Sequence, residues 1–560
     1  MPRQPGLNDP ATGPGAVRSG LFVALCLLPL FFSLGNHEIT GDSEARYGLV
    51  ARGMAFGGAS WWVPTLLGEP HLTKPPLTYW LHAASLRALG DNLWALRLPG
   101  AVCGGLTLGI VYLLAHHLRG PGAGTLAAGM LAITPLFVIV HRLALTDPPL
   151  TLFSTSLLAA VVMATRSPNS ARWCLIAGLA ASMGWLTKGP ALLPTAAAAV
   201  LWLLLGRSNK NKLNLIIVLL VSLFPLAGWA CWIAAKLPEA WEVWRFQTLS
   251  RATGRGDHPE PWWFLIPVFF LGALPATALL PWRGPSRNFG TSVSRTVQMF
   301  RGAQAPDPKG LWVLHLLATL FFFSLISGKL MSYPAPAAPS LVLLITAWFT
   351  ERSRQTKTSY PNLWQLFKIL QRPWFITAVA LPSAAGLVLS VFTGWVIGLC
   401  ITAGGWGLAG LWLAGWAWKR RGPDAALPLG YAWVLGLLTW TGLALAEDGY
   451  AHRSRLGPVV AELRRATGLT EPRVYTVGFT DRRLPFFTNR PTRRIDPRVL
   501  PEVWMALPRE ELVLLAEPEA WASFDADPHW DLDSMYEVVA FHVEHLRQEP
   551  RYIAFRPTPR

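Results

Sequence analysis

Long stretches without charged residues dominate this chain of 560 residues, and about thirteen of them are apolar enough to cross a bilayer. A helix needs roughly 17 to 25 residues to span the hydrocarbon core. Hydrophobic residues make up 52% of the sequence and charged residues 14%, against about 25% charged in an ordinary soluble domain. The sequence therefore predicts an all-α polytopic membrane domain and argues against a soluble cytosolic enzyme.

The predicted spans lie near residues 19–35, 96–118, 121–141, 148–165, 173–187, 190–206, 214–235, 262–281, 311–327, 334–350, 374–392, 395–418 and 427–446. The segments within 173–206 and within 374–418 could each form one long kinked helix instead. Charge favours separate spans, because merging the first pair would put Arg166 and Lys210 on opposite faces of the membrane, against the positive-inside rule.

Many of the basic residues behind the formal charge of +17 sit in short loops between spans, as Arg119, Arg166 and Lys309 do. Such loops are cytoplasmic in most membrane proteins. We therefore expect residues 1–18 to form a cytoplasmic N-terminal tail and residues 19–446 to form the transmembrane domain in an inner or plasma membrane. The positive charge of these loops indicates the orientation of the protein in the membrane, so no nucleic-acid partner is expected.

From residue 447 onward the composition becomes that of a soluble domain. A helical pattern at 459–466 and β-rich runs at 473–477, 512–515 and 552–555 predict a C-terminal α/β domain. The predicted topology puts this domain, residues 447–560, on the periplasmic or exoplasmic side. We find no phosphate-binding glycine loop and no zinc-ligand spacing in it.

The first exoplasmic loop, residues 36–95, opens with Asp42, Glu44, Arg46 and Tyr47. Two carboxylates and a guanidinium at the membrane surface can supply a proton acceptor, a partner that tunes it and an anion clamp. A local surface ion pair with no catalytic role would explain the same residues equally well.

Further along this loop, Lys74 precedes two prolines and the short apolar segment 77–89. That segment is too short to cross a bilayer and is predicted to lie as a helix in the interface. A lysine held rigidly at headgroup depth can bind a lipid phosphate. The simpler interpretation is a lysine whose ammonium reaches up to the interface.

Two charged residues lie at turns between later spans on the same side. Asp147 starts the fourth span, where it could be a functional carboxylate or a helix N-cap, and the two roles are compatible. Lys188 lies between the fifth and sixth spans, where a C-capping or snorkelling role is the simpler interpretation.

Four more residues complete the set: Arg255 and His258 in one loop, and Lys329 and Tyr333 in another. His258 could carry a proton or bind a metal. Each of these signals is weak by itself. Together they converge on one face of the bilayer, which suggests chemistry on a membrane-bound phosphate ester.

In this order the elements resemble those of GT-C glycosyltransferases of the aminoarabinose transferase and protein O-mannosyltransferase type. The resemblance covers nearly the whole chain. Six elements carry it: acidic-x-Arg-Tyr at 42–47, Lys-Pro-Pro-Leu-x-Tyr-Trp at 74–80, Thr-Asp at 146–147, Thr-Lys-Gly-Pro at 187–190, a histidine element around His258, and Ser-x-x-Lys-x-x-Tyr ending at Tyr333.

The resemblance implies inverting transfer of a sugar from a polyprenyl-phosphate donor to a lipid, glycan or protein acceptor on the exoplasmic face. It implies that Asp42 is the general base, assisted by Asp147 and with Glu44 as a further catalytic candidate. The residues implied to hold the donor phosphate are Arg46, Lys74, Lys329 and Arg255, with Tyr333 supporting the pocket and Tyr47 and Lys188 as further site residues.

The reaction that the resemblance implies requires no nucleotide cofactor, because a polyprenyl phosphate is already an activated leaving group. The resemblance leaves open whether the site binds a divalent metal ion, for which His258 is the candidate ligand. Thr73 stands where some lipid A-modifying relatives have a glutamate, which weakens the case for a metal site. A lipid-linked sugar flippase and a polyprenyl-linked glycan ligase are the alternatives, although transporters tend to place ionisable groups near the bilayer midplane.

Overall fold

The structure is a computed structural model. It describes residues 26–27, 29–31, 34–35, 38–39, 41–167, 170–205, 212–253, 260–273, 276–277, 307–355, 460–461, 464–465, 473–477, 483–490, 492–495, 512–516, 536–539 and 553–557. The predicted spans at 374–392, 395–418 and 427–446, and most of 19–35, lie outside these residues.

Helices make up most of the described chain. They are α1 (Asp42–Phe56), α2 (Leu77–Leu89), α3 (Leu93–Arg119), α4 (Pro121–Ala132), α5 (Pro135–His141), α6 (Asp147–Arg166), α7 (Ser170–Lys188), α8 (Leu193–Leu205), α9 (Lys212–Val221), α10 (Phe224–Lys236), α11 (Ala240–Thr253), α12 (Leu265–Gly272), α13 (Pro308–Leu325) and α14 (Ala338–Gln355). The segment predicted to be a short helix, 77–89, has the bounds of α2.

The chain divides into two compact units. The first comprises Met1–Phe32, Thr73–Thr78 and Gly100–Ala444, and the second comprises Ser33–Leu72, Tyr79–Pro99 and Leu445–Arg560. Most of the predicted exoplasmic loop 36–95 lies in the second unit, which also contains the C-terminal segments.

Several described helices are long and apolar enough to cross a membrane. These stretches are Leu93–Arg119, Asp147–Arg166, Ser170–Leu204, Leu215–Lys236 and Pro308–Leu325, and the pair Ala123–Ala132 and Pro135–His141 adds one path bent by 66°. The bend falls just before Pro135, which has no backbone N–H to continue the preceding helix. The membrane-spanning character predicted from composition is therefore present in the described helices.

The stretch Ser170–Leu204 is a hairpin, because α8 runs back along the bundle. Thr195 in α8 donates to the hydroxyl of Ser154 in α6 at 3.1 Å, and Trp202 donates to the carbonyl of Asp307 at 3.3 Å. The reversal occurs at the 3₁₀ turn Gly189–Leu192. Gly189 has a φ of +55°, which disfavours residues with a side chain. The separate spans predicted at 173–187 and 190–206 agree with this geometry.

A chain of polar side chains crosses the interior of the first unit. His315 of α13 is buried, with Nε2 at 3.0 Å from the Thr195 hydroxyl and Nδ1 at 2.8 Å from the Ser340 hydroxyl. Ser154 extends the chain from Thr195 to α6. These bonds satisfy polar groups that would be costly in an apolar interior, and they fix the relative register of four helices.

In the second unit α1 packs against α15 (Leu484–Thr488). A Cβ at Gly48 would lie 2.8 Å from the Phe486 ring, so this position tolerates only glycine without a shift of the ring. The Arg52 guanidinium lies 4.2 Å from the centre of that ring and donates to the Phe486 carbonyl at 2.9 Å. It also pairs with Asp91 at 3.0 Å.

Two short antiparallel strands, β1 (Thr65–Leu66) and β2 (Glu69–Pro70), lie in the second unit. The C-terminal segments contain β3 (Arg473–Val477), β4 (Arg493–Ile495), β5 (Leu512–Ala516), β6 (Tyr536–Val539) and β7 (Ile553–Pro557). These five form a mixed sheet in the order β4-β3-β5-β7-β6. β3 pairs in parallel with β4 and β5, and β7 pairs antiparallel with β5 and β6. Three of these strands fall on the β-rich runs predicted from the sequence.

We predict that Arg52→Met destabilises the second unit by about 1–3 kcal/mol, because it removes a cation–π contact and a charge-assisted hydrogen bond to Phe486. Arg87→Met is the matched control, since Arg87 is an exposed arginine of α2. Thermal unfolding of both variants in detergent measures the difference. Equal unfolding temperatures would contradict the prediction.

Candidate active site

A buried ion pair joins α6 to α7 at one end of the first unit. The Lys188 ammonium lies 2.7 Å from Oδ1 of Asp147, and both residues are buried. The N-cap expectation for Asp147 is wrong, because α6 begins at Asp147 and its N-cap is Thr146, without a side-chain cap bond. The Asp147 carboxylate instead has a full positive charge as its partner. Lys188 is the last residue of α7. Its side chain forms this ion pair with Asp147 and not the capping or snorkelling contact expected for it.

Tyr333 also contacts the Lys188 ammonium. The Lys188 nitrogen is 4.5 Å from the centre of the Tyr333 ring, within the range of a cation–π contact. The ring is buried against Phe323, with ring centres 4.9 Å apart, and against Leu265. Asp147, Lys188 and Tyr333, which the sequence places far apart, thus form one cluster.

Lys329 lies four residues before Tyr333 and is also buried. Its ammonium donates to the carbonyl of Glu260 at 2.8 Å, which uses one of its three protons. Burial lowers the pKa of Lys329, and the negative charge of Glu260 opposes this shift. A partly desolvated ammonium interacts strongly with an anion, because little water remains to screen its charge.

The segment containing Lys74 lies beside the turn that follows Lys188. A Cβ at Gly189 would lie 3.7 Å from Cγ of Pro75, which is an ordinary van der Waals distance. Lys74 itself is half-buried. The first unit therefore brings the Lys74 segment next to the Lys188 turn, where Lys188 contacts Asp147 and Tyr333.

The acidic loop element of the second unit has a different partner from the one expected. Glu44 is buried, and its two oxygens lie 2.7 Å and 3.1 Å from the Arg97 guanidinium. Arg97 also donates to the carbonyls of Leu34 and Glu38, both at 3.1 Å. These bonds give Glu44 the geometry of an anchor for the loop.

The neighbours of Glu44 differ from it in their contacts. Asp42 is the first residue of α1 and is half-buried, at a helix end where the dipole favours negative charge. Nε of Arg46 is buried and has no hydrogen-bond partner among the described residues. The ring of Tyr47 packs edge-on against Tyr79, with centres 5.7 Å apart.

The metal prediction is not tested. Among the described residues no group of three or more His, Cys, Asp or Glu side chains could hold a metal ion. His258, the candidate ligand, and Arg255, a candidate phosphate-binding residue, both lie outside them.

Sequence reasoning missed Arg97 and Glu260, the partners of two predicted site residues. Arg97 lies in the otherwise apolar helix α3, and a buried charge in such a helix is a signal that could have identified it. Glu260 binds Lys329 through its backbone carbonyl, a contact that any residue could provide, although its negative charge also acts on Lys329. No side-chain pattern marks that position.

We predict that Lys188→Met destabilises the protein by about 3–5 kcal/mol, because it leaves the Asp147 carboxylate buried without its counter-charge. The double variant Lys188→Met with Asp147→Asn should lose less stability than Lys188→Met alone. Lys236→Met is the control, since Lys236 is exposed in the last turn of α10. Unfolding temperatures in detergent test this, and equal values for the two lysine variants would exclude a buried pair.

Comparison with known proteins finds similarity to glycosyltransferases. Residues 73–232 match the family model described as dolichyl-phosphate-mannose-protein mannosyltransferase. An undecaprenyl phosphate-alpha-4-amino-4-deoxy-L-arabinose arabinosyl transferase of Pseudomonas fluorescens is 30% identical over 347 residues, which are 59% of this chain and 58% of the relative. Its counterpart in Pseudomonas paraeruginosa is 31% identical over 331 residues, with 58% of each chain covered. The matches thus span less than two thirds of these relatives.

The fold is similar to that of a solved structure over most of the chain. The crystal structure of ArnT from Cupriavidus metallidurans bound to undecaprenyl phosphate aligns with a TM-score of 0.73 at 19% identity, covering 96% of this chain and 98% of that one. The chain is therefore similar in sequence to these arabinosyl transferases over part of its length, and similar in fold to the ArnT structure over nearly all of it.

Proposed function

We propose that the protein is an inverting membrane glycosyltransferase that moves a sugar from a polyprenyl-phosphate donor to a lipid, glycan or protein acceptor. The curated relatives are named undecaprenyl phosphate-alpha-4-amino-4-deoxy-L-arabinose arabinosyl transferases. The observation that carries the proposal is the cluster of Asp147, Lys188 and Tyr333 beside the Lys74 segment. These residues belong to the ordered elements from which the sequence alone suggested this function.

The donor phosphate is assigned to Lys74, Lys329 and Arg46, with Arg255 as a further candidate. A leaving phosphate gains negative charge as its bond to the sugar breaks, and cations that are already fixed in position stabilise that charge. Two observations support the assignment. The bond from Lys329 to Glu260 uses one of its three ammonium protons, and Nε of Arg46 is a buried donor without a partner among the described residues.

Lys188 is assigned a positioning role. Its ammonium contacts both the Asp147 carboxylate and the Tyr333 ring, so it fixes the positions of both groups.

Asp42 is assigned the role of general base. Of the three candidate carboxylates, Glu44 is paired with Arg97 and Asp147 with Lys188, whereas Asp42 is half-buried at the start of α1.

In the proposed reaction Asp42 takes the proton of the acceptor hydroxyl. The acceptor oxygen bonds to the anomeric carbon from the face opposite the phosphate, and the bond from that carbon to the phosphate oxygen breaks. The products are the glycosylated acceptor and the polyprenyl phosphate.

The proposed topology has about thirteen spans in a bacterial inner membrane, with a cytoplasmic N-terminus and the C-terminal domain on the periplasmic side. The basic loops of the sequence support this orientation, since cytoplasmic loops carry excess Lys and Arg. Tyr47 is proposed to support the acidic element of α1 through its contact with Tyr79.

We predict that Asp42→Asn lowers sugar transfer by about 10²–10⁴-fold, the range for loss of a general base. The assay uses purified protein in detergent with a synthetic polyprenyl-phosphate sugar. Glu69→Gln, an exposed carboxylate of the same loop, should keep full activity. Full activity of Asp42→Asn would remove Asp42 from this role, and absence of transfer by the unchanged protein with every polyprenyl-phosphate donor would overturn the proposed function.

We also predict that Arg46→Gln weakens binding of undecaprenyl phosphate by about tenfold or more, as expected for loss of a charge-assisted hydrogen bond. Arg87→Gln is the control, because Arg87 is exposed on α2. Titration of the lipid phosphate against each purified variant measures the dissociation constants. The same affinity in both variants would exclude Arg46 as a phosphate ligand.

A further inference from the structure

A charged cavity lies at the opposite end of the first unit from Asp147. Its volume is about 320 Å³, and Arg119, Arg166, Asp307 and Lys309 contribute to its lining. Asp147 begins α6 and Arg166 ends it, so the two ends are about 28 Å apart at 1.5 Å per residue. This cavity is therefore separate from the cluster around Lys188.

Ion pairs hold two of the three cations in place. Glu351 bridges Arg119 at 2.9 Å and Lys309 at 2.7 Å, and Lys309 also contacts Asp307 at 3.1 Å. Arg166 forms no hydrogen bond or ion pair with any described residue, although Asp307 and Arg119 act on it electrostatically. Among the described residues, its guanidinium is the cation of this cavity without a hydrogen bond or ion pair.

The charges of these five residues leave one positive charge. Arg119, Arg166 and Lys309 carry three positive charges, and Asp307 and Glu351 carry two negative charges. One phosphodiester, which has a single negative charge, would neutralise the set. Charge balance therefore favours one phosphodiester over a ligand with several charges.

The position of the cavity indicates where this ligand comes from. Arg119 and Arg166 end membrane-length apolar helices, and Pro308 begins another, so the cavity lies at the depth of lipid headgroups. Leu118, Trp312 and Leu343 also line it. Charged and apolar walls together suit the junction between a headgroup and its acyl chains.

We propose that this cavity binds the phosphodiester headgroup of a phospholipid in the leaflet opposite the Asp147 end, with Arg166 as the direct phosphate ligand. The basic residues at this end identify that leaflet as the cytoplasmic one. Basic pockets between transmembrane helices on this side are suited to lipid headgroups. The volume is at the small end of the range for ligand pockets, about 300–1,000 Å³, so it suits a headgroup alone, with the acyl chains left in the bilayer.

Native mass spectrometry of the full chain tests the proposal, with phosphatidylglycerol titrated into the purified protein in detergent. Arg166→Gln should reduce affinity for the first bound lipid about tenfold, the loss expected for one charge-assisted hydrogen bond. Arg166→Lys should retain part of the affinity. Arg172→Gln is the matched control, an exposed arginine in the first turn of α7, and it should bind as the unchanged protein does.

Three outcomes would overturn the proposal. They are unchanged lipid binding by Arg166→Gln, an equal loss in Arg172→Gln, and Arg166-dependent binding of inorganic phosphate without binding of phosphatidylglycerol. The unfolding temperature of each variant separates loss of the site from loss of the fold. Lipid binding is measured without sugar transfer, so failure here is distinguishable from failure of the proposed enzyme activity.

Discussion

The buried ion pair between Asp147 and Lys188 sets the arrangement of the first unit. An ammonium and a carboxylate are both costly away from water, and each makes the other tolerable only at close range and in good geometry. The 2.7 Å contact therefore requires the start of α6 and the end of α7 to meet. The cation–π contact with Tyr333 also brings the segment between α13 and α14 to this ion pair.

Buried pairs also separate structural from chemical roles among residues of the same type. Glu44 and Asp147 carry the same charge as Asp42, but each is held by a single buried cation. A carboxylate in a tight buried pair cannot turn to another group without leaving its partner cation buried and uncompensated. This reasoning makes Asp42 the candidate for proton transfer and gives the other two the task of fixing their surroundings.

The sequence predicted the apolar spans, the short helix α2, the strands β3, β5 and β7, and the candidates Asp147, Lys188 and Tyr333. It did not predict which side chains would pair. Asp147 was expected as a functional carboxylate or a helix cap, without its partner Lys188. The partner of Glu44 is Arg97, which is 53 residues away in sequence. Helical patterns depend on neighbours three or four residues apart, whereas ion pairs between helices depend on packing that no local pattern encodes. His315 escaped notice for the same reason, because its partners Thr195 and Ser340 lie on other helices.

The two ends of α6 show how one helix can support two kinds of charged site. At Asp147 each described charge has a close, buried partner, which suits a site that must hold a fixed geometry. At Arg166 the carboxylates are about one-third exposed, and one guanidinium has no partner among the described residues. Interactions there are weaker because water screens them. Such a cluster can accept an anion without breaking its own pairs, since Arg119 and Lys309 keep their carboxylates while Arg166 takes the ligand.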